Sequence, residues 1–305
     1  MNNTEMIKEL RALTSAGMKD CKDALEETGW DLQKAVDVIK TKGLNIADGR
    51  SGSAASEGVV LVCKYPRFTT MMEINCQTDF VANSPDFKNF AQLASEKLSI
   101  GFANGDGFHA TDVETERKAL VAITKENVVV RRWWVEEAVA PGTHVFSYVH
   151  SNNKIGVILT LQVIPNQKER SASELSRDSN FVSLGENMAM QVAAMNPLAI
   201  DVERLAPEDM ARQQAIFEQQ LTELKKPQAA WPKILEGKFR KWHTEVCLME
   251  QESVWVPKHT VKQLVTNVGT AIGGEAKVIT MIRCQVGEGV EVKKDNLAEE
   301  VAKMM

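Results

Sequence analysis

One pattern occurs twice in this chain and restricts it more than any other. Two apolar runs are joined by a tight turn and followed by a helical apolar stripe. GVVLVCK (58–64), the turn Tyr65-Pro66-Arg67 and TTMMEINC (69–76) read as a β-hairpin. Ser84-Pro85-Asp86 then supplies an N-cap, a proline at the first helical position and an acidic residue for the helix start. Phe87, Phe90, Ala91, Ala94 and Leu98 form the inner face of that helix. A second helix, capped by Asp112, carries Val113, Leu120 and Val121, and the strand NVVVRRWWV (127–135) closes the unit. The pattern returns with HVFSYVH (144–150), the turn Ser151-Asn152-Asn153 and KIGVILTLQV (154–163). A helix with Phe181, Leu184, Met188, Val192 and Met195 inward follows. The expected fold is therefore α+β, with duplicated core subdomains built on antiparallel sheets.

Other segments flank or interrupt this duplication. The N-terminus reads as three short helices. Thr4 caps the first, with Met6, Ile7, Leu10 and Leu13 on one face; Met18, Cys21 and Leu25 line the second, which Gly29 ends. Asp31 caps the third, with Leu32, Ala35, Val36 and Ile39 inward and Gly43 at its end. So small a bundle is marginal alone and suits docking better than chemistry. Residues 45–57 (NIADGRSGSAASE) have the composition of a flexible linker. Pro207 opens a polar helix whose narrow stripe of Met210, Phe217, Leu221 and Leu224 suits a projecting helical hairpin. A basic helix follows Pro227 and Pro232, then a strand at 275–286, the turn Gly287-Glu288-Gly289 and a short helix capped by Asp295. The expected division is a three-helix module at 1–44, a linker at 45–57, core subdomain N at 58–140, core subdomain C at 141–265 with a hairpin at about 197–228, and a C-terminal strand and helix module at 266–305.

Charge and motif content narrow the function. The 305 residues carry 36 basic and 41 acidic side chains, a formal net charge of −5. A sequence-independent nucleic-acid binder draws its affinity from phosphate neutralisation and needs a basic surplus, so that class is disfavoured. No run approaches the roughly 20 apolar residues that span a bilayer, and MNNTEMIKEL has no signal-peptide core. A soluble cytoplasmic protein, or an organellar matrix protein whose targeting peptide has been removed, is expected. Five cysteines and five histidines are scattered without metal-ligand spacing, so no metal, cofactor or disulfide is expected. Neither a phosphate-binding loop nor a nucleophile elbow is present. An enzyme would have to assemble its site from distant residues, for example Cys76 or His150 with a base.

The oddest stretch is EINCQTDFVAN (73–83). Thr78, Asp79, Phe80 and Val81 fall between strand and helix, where polar loop residues are the rule. Two readings are open. Phe80 folds back onto its own domain as a staple before the helix. Alternatively, Phe80 is an apolar wedge for a partner's crevice, with Asp79 placed to repel an anion or compete for a cation. Met18, beside Gly17, has the same ambiguity between core and contact surface. Trp133-Trp134 reads as strand packing and Lys238, Arg240, Lys241 as a solvated helix face.

Taken together, these motifs resemble the bacterial-type translation elongation factor Ts family over nearly the whole chain. IKELRALTSAGMKDCKDALEETGWDLQKAV is similar to the family's ubiquitin-associated-like module, and EINCQTDFVAN to its signature. KIGVILTL, QVAAMNP, KPQAAWPKILEGKFRKW and IRCQVGEGV follow in the family's order and spacing. The resemblance implies a guanine nucleotide exchange factor for elongation factor Tu, with no catalytic or nucleotide site of its own. It implies that the Asp79-Phe80 wedge enters the partner's G domain near its magnesium site. It also implies partner contacts at Arg11, Gly17 and Met18 of the first module, and at Tyr148 and His150 of the second hairpin. The projecting hairpin corresponds to the family's coiled coil, which can touch the partner or join two copies as a homodimer. Lys19 departs from the pattern, standing where many members have a second methionine, and Ser151-Asn152-Asn153 is more elaborate than the common glycine turn.

Overall fold

The computed structural model describes residues 2–14, 16–50, 52–166 and 170–291, with the backbone alone at 40 and 43–48. The expected C-terminal helix capped by Asp295 lies outside the described residues. Two compact units emerge. The first holds the chain up to Cys63, Thr70–Trp134 and the residues from Gln285; the second holds Lys64–Thr69 and Val135–Cys284.

The first unit opens with helices α1 (Asn3–Thr14), α2 (Met18–Glu27) and α3 (Leu32–Arg50). Leu10, Cys21, Ala24, Leu25, Ala35 and Ile39 form their shared core. Three expectations need correction. Asn2, not Thr4, caps α1: its Oδ1 accepts from the Glu5 N–H at 2.8 Å while Glu5 Oε2 accepts from the Asn2 N–H at 2.9 Å, a reciprocal pair one turn long. Leu13 is 62 % exposed, outside the core stripe. And α3 runs through Gly43 to Arg50 instead of stopping, so 45–50 of the expected linker is helical. One interior glycine costs about 1 kcal/mol against alanine, a penalty that the packing of α3 on a later helix of this unit, at Glu114–Thr124, offsets.

Strands β1 (Glu57–Lys64) and β2 (Phe68–Cys76) form the expected hairpin. A single turn, α4 (Asp79–Asn83), precedes α5 (Pro85–Asn104), whose cap Ser84 accepts from the Phe87 N–H at 3.3 Å. Phe87, Phe90, Ala91, Ala94 and Leu98 are all buried, as their spacing requires. Asp112 does not cap α6 (Glu114–Thr124). Its carboxylate reaches back to the His109 N–H at 2.8 Å and closes a separate 3-10 turn. Strand β3 (Val129–Glu137) completes the sheet in the order β1-β2-β3. On it, Trp133 meets Phe108 edge-on at 5.1 Å and Arg132 lies over the Trp134 ring at 5.5 Å.

One carboxylate ties this unit together. Glu73, on the central strand β2, is fully buried. It accepts from Arg131 at 3.0 and 3.1 Å, from Arg132 Nε at 2.5 Å and from the Gly287 N–H at 2.9 Å. Burial pushes its pKa up, but the Gly287 amide and the two guanidiniums outweigh that and hold it below the usual glutamate value. Gly287 is required there. Its φ is +73°, and a Cβ would sit 2.2 Å from the Ser56 carbonyl oxygen.

In the second unit, β4 (Thr143–Val149) and β5 (Ile155–Pro165) pair antiparallel, with Phe146 opposite Leu159 and Tyr148 opposite Val157. The turn α7 (Ala172–Leu175) and the helix α8 (Ser179–Met195) follow. Phe181, Leu184, Met188 and Val192 enter the core, whereas Met195 is 44 % exposed. Helices α9 (Pro207–Glu223) and α10 (Trp231–Val246) pack on each other through Phe217, Phe239 and Trp242. The hairpin therefore extends past 228, with the basic helix as its second arm; Leu224, expected in the seam, is 63 % exposed. Lys238 donates to Gln220 at 2.7 Å and lies over the Phe217 ring, so it joins the two arms while Arg240 and Lys241 face solvent. Helix α11 (Val261–Ile272) leads to β6 (Gly274–Gln285), which joins the sheet as β4-β5-β6. The strand expected in a separate C-terminal module is thus the third strand of the second sheet. Hairpin, helices and a returning strand occur twice, with α9 and α10 inserted in the second instance. No helix among the described residues is long and apolar enough to cross a membrane.

Two stability measurements follow from this packing. A Cβ at Gly185 would meet three ring atoms of buried Phe146 at 2.3–2.4 Å. Gly185→Ala should therefore destabilise the chain by about 1–3 kcal/mol in urea unfolding, despite a helix-propensity gain of about 1 kcal/mol. Glu73→Gln should cost about 3 kcal/mol at pH 7, the low end for breaking a buried pair, because both arginines reach solvent. The folded-state pKa of Glu73 lies below its ordinary value, so its stabilisation is present above about pH 4.5 and is lost as pH falls further. Urea midpoints at pH 7, 5, 4 and 3 should accordingly fall less steeply with acid in Glu73→Gln than in the parent.

Candidate functional site

The exposed knob is built where β2 runs into α4. Cys76 is buried and its thiol donates to the Thr78 carbonyl at 3.2 Å, turning the chain out of the sheet. Thr78 caps α4, its hydroxyl oxygen accepting from the Val81 N–H at 3.3 Å. At the other end the Ser84 hydroxyl donates to the Val81 carbonyl at 2.8 Å, and Asn83 Nδ2 donates to the Asp79 carbonyl at 2.9 Å. Ala82 is buried, Val81 half-buried and Asp79 exposed.

Phe80 is 84 % exposed, the most exposed large apolar side chain among the described residues. It does not fold back as a staple. Leaving a phenylalanine in water forgoes about 1.5–3 kcal/mol of burial, and here the backbone around it is fixed by four hydrogen bonds. A rigid apolar projection beside a carboxylate is suited to entering a crevice on another molecule.

Beneath the knob lies a feature that local sequence did not reveal. The Glu126 carboxylate accepts from the Gln77 N–H at 3.1 Å, the Thr78 N–H at 3.0 Å and the Thr78 hydroxyl at 2.6 Å. The Asn127 N–H donates to Gln77 Oε1 at 3.0 Å. These partners are about fifty residues apart in sequence, so no spacing rule could have found them.

Of the first-module candidates, Arg11 and Met18 meet in an open depression lined by Lys8, Arg11, Ala12, Met18 and Asp86. Asp86 belongs to the first turn of α5, directly after the knob. Met18 is 46 % exposed at the start of α2, so it leaves the core face on which its spacing placed it. Gly17 is the extended N-cap of α2 and adds no side chain; a Cβ there would approach Asp20 Oδ2 to 3.3 Å. Lys8 carries no sequence signal, and Asp86 stands out in the sequence only as the acidic residue of a helix start.

In the second unit the structure brings Tyr148 and His150 together, with Tyr148 Oη and His150 Nδ1 3.1 Å apart at the end of β4. Tyr148 leans on the core and His150 is exposed. The following turn is closed by the Asn153 N–H donating to the His150 carbonyl at 2.8 Å, with Asn153 at φ +55° taking the left-handed position that glycine often fills. Among the described residues no group of three His, Cys, Asp or Glu side chains is arranged to hold a metal ion.

Comparison with known proteins gives a consistent result. The family model described as Elongation factor TS matches residues 77–288, a span that opens at the knob and closes at the turn whose amide binds Glu73. A protein of Clostridioides difficile described as Elongation factor Ts is 36 % identical over 313 residues, covering 99 % of this chain and 98 % of the relative. Relatives of the same description from Syntrophotalea carbinolica and Magnetococcus marinus are 34 % and 35 % identical, each covering 98 % of this chain and 97 % of its own length.

Since Phe80 touches little of its own fold, Phe80→Ala should leave the urea-unfolding free energy within about 0.5 kcal/mol of the parent. Thr78→Ala, which removes a cap, should cost about 1 kcal/mol in the same measurement.

Proposed function

The chain belongs to the elongation factor Ts family, and from that premise we propose that it is a guanine nucleotide exchange factor in translation elongation. It binds elongation factor Tu in the GDP-bound form, disturbs the magnesium and phosphate site and promotes GDP release. The observation that carries this reading is the 84 % exposure of Phe80 on a backbone capped at both ends. The chain acts as an exchange factor without a catalytic site or cofactor of its own, in the cytoplasm.

Exchange is a matter of linkage. A factor that binds the nucleotide-free GTPase more tightly than the GDP form must weaken GDP by the same factor. Magnesium neutralises phosphate charge in such sites, so an apolar ring and a carboxylate pressed towards its shell lower GDP affinity without any chemistry. Phe80 supplies the shape and Asp79 the charge, with Thr78 and Val81 as their support. Arg11, Gly17 and Met18 of the ubiquitin-associated-like module form a second contact, and Tyr148 with His150 a third. The α9–α10 pair serves as a coiled-coil arm.

Stopped-flow release of a fluorescent GDP analogue from a bacterial elongation factor Tu tests this. The parent should accelerate release, and Phe80→Ala should reduce the acceleration about tenfold or more, as expected of a contact hot spot. Tight binding without acceleration would refute exchange and make the chain a binding subunit.

A further inference from the structure

We infer that Glu126 is the positioning residue of the knob, holding Phe80 at a fixed angle from beneath without contacting the partner. This rests on the exchange reading above for its consequence, though not for its geometry.

The knob emerges from the end of a strand, and that is where backbone donors run out of ladder partners. The amides of Gln77 and Thr78 follow the last residue of β2 and precede the first residue of α4. Both donate to one carboxylate oxygen of Glu126, while the Thr78 hydroxyl donates to the other. Hydrogen bonds to an ionised acceptor are the strong ones, and three on one carboxylate fix orientation as well as distance. The same hydroxyl oxygen accepts from the Val81 N–H, so the chain of bonds runs Glu126 to Thr78 to Val81, on either side of Phe80.

The neighbours of Glu126 make the same turn a junction. Lys125, in the left-handed conformation at φ +59°, pairs with Asp20 of α2 at 3.4 Å. Asn127 is buried; its N–H donates to Gln77 and its Nδ2 donates to the Ser53 carbonyl at 2.7 Å. Three consecutive residues therefore engage the three-helix module, the knob and the segment entering β1. Glu126 is the member directed at the knob.

Three variants test the assignment in the full chain. Glu126→Ala should raise hydrogen–deuterium exchange of the amides at 77–82 about tenfold while β5 stays protected. Its GDP-release rate at saturating concentration should fall about tenfold, with the half-saturating concentration changing less than about threefold. Glu126→Gln keeps an oxygen for the two amides and should recover most of both readouts; Glu126→Asp, one methylene short, should not. Added to Phe80→Ala, Glu126→Ala should reduce release by less than about twofold more, because the two act as a unit. A full tenfold further loss in that background, or unchanged exchange at 77–82, overturns the assignment. If the knob loosens in Glu126→Ala but the parent releases no GDP, the positioning role stands and the exchange reading falls.

Discussion

The first sheet depends on an ionised carboxylate in its centre. Glu73 sits on β2, between β1 and β3, with no solvent exposure. Left unpaired, it would be ruinous, since desolvating a carboxylate costs several kcal/mol. It is answered by Arg131 and Arg132 from β3 and by the Gly287 amide from the far end of the described chain. Strand β3 returns to the sheet only after α4, α5 and α6. The carboxylate draws both guanidiniums, which belong to consecutive residues of β3, and so ties that strand to β2. Placed three residues before Cys76, it also fixes the strand from which the knob departs.

Local pattern was enough wherever the determining contacts are local. Both hairpins, the Ser84-Pro85 helix start, the buried face of α5 and that of α8 as far as Val192 follow from alternation, turn chemistry and helical spacing. It failed where the decision lies elsewhere in the chain. Gly43 carries a stop signal, yet α3 continues because it packs against α6. The narrow stripe of α9 points to a helical hairpin but not to its second arm, which depends on Phe239 meeting Phe217. The strand at 274–285 looks like a separate module until it is seen beside β5.

The candidate site divides in the same way. Phe80 was conspicuous because an aromatic in a polar connection is anomalous, although its direction stayed open until exposure decided it. Met18 was ambiguous for a related reason: the first residue of a helix shares the spacing of the core stripe without being covered by the next helix. Glu126 had no signal at all. An acidic residue after a helix is ordinary, and its meaning comes from donors on a strand end in a different part of the sequence.

The knob also shows how a short helix can carry an exposed ring. A five-residue helix has no stability of its own, because nucleation costs more than one turn of hydrogen bonds returns. Its persistence comes from its ends: Thr78 anchored to Glu126 at the start, Ser84 bonded to Val81 at the finish, and buried Ala82 between them. Flexible presentation would charge the ordering of this loop against every encounter with a partner. Here that ordering is completed during folding, by a carboxylate on one side and a hydroxyl on the other. The surface left over is a phenylalanine that its own fold barely covers, so its burial free energy is still available to another molecule.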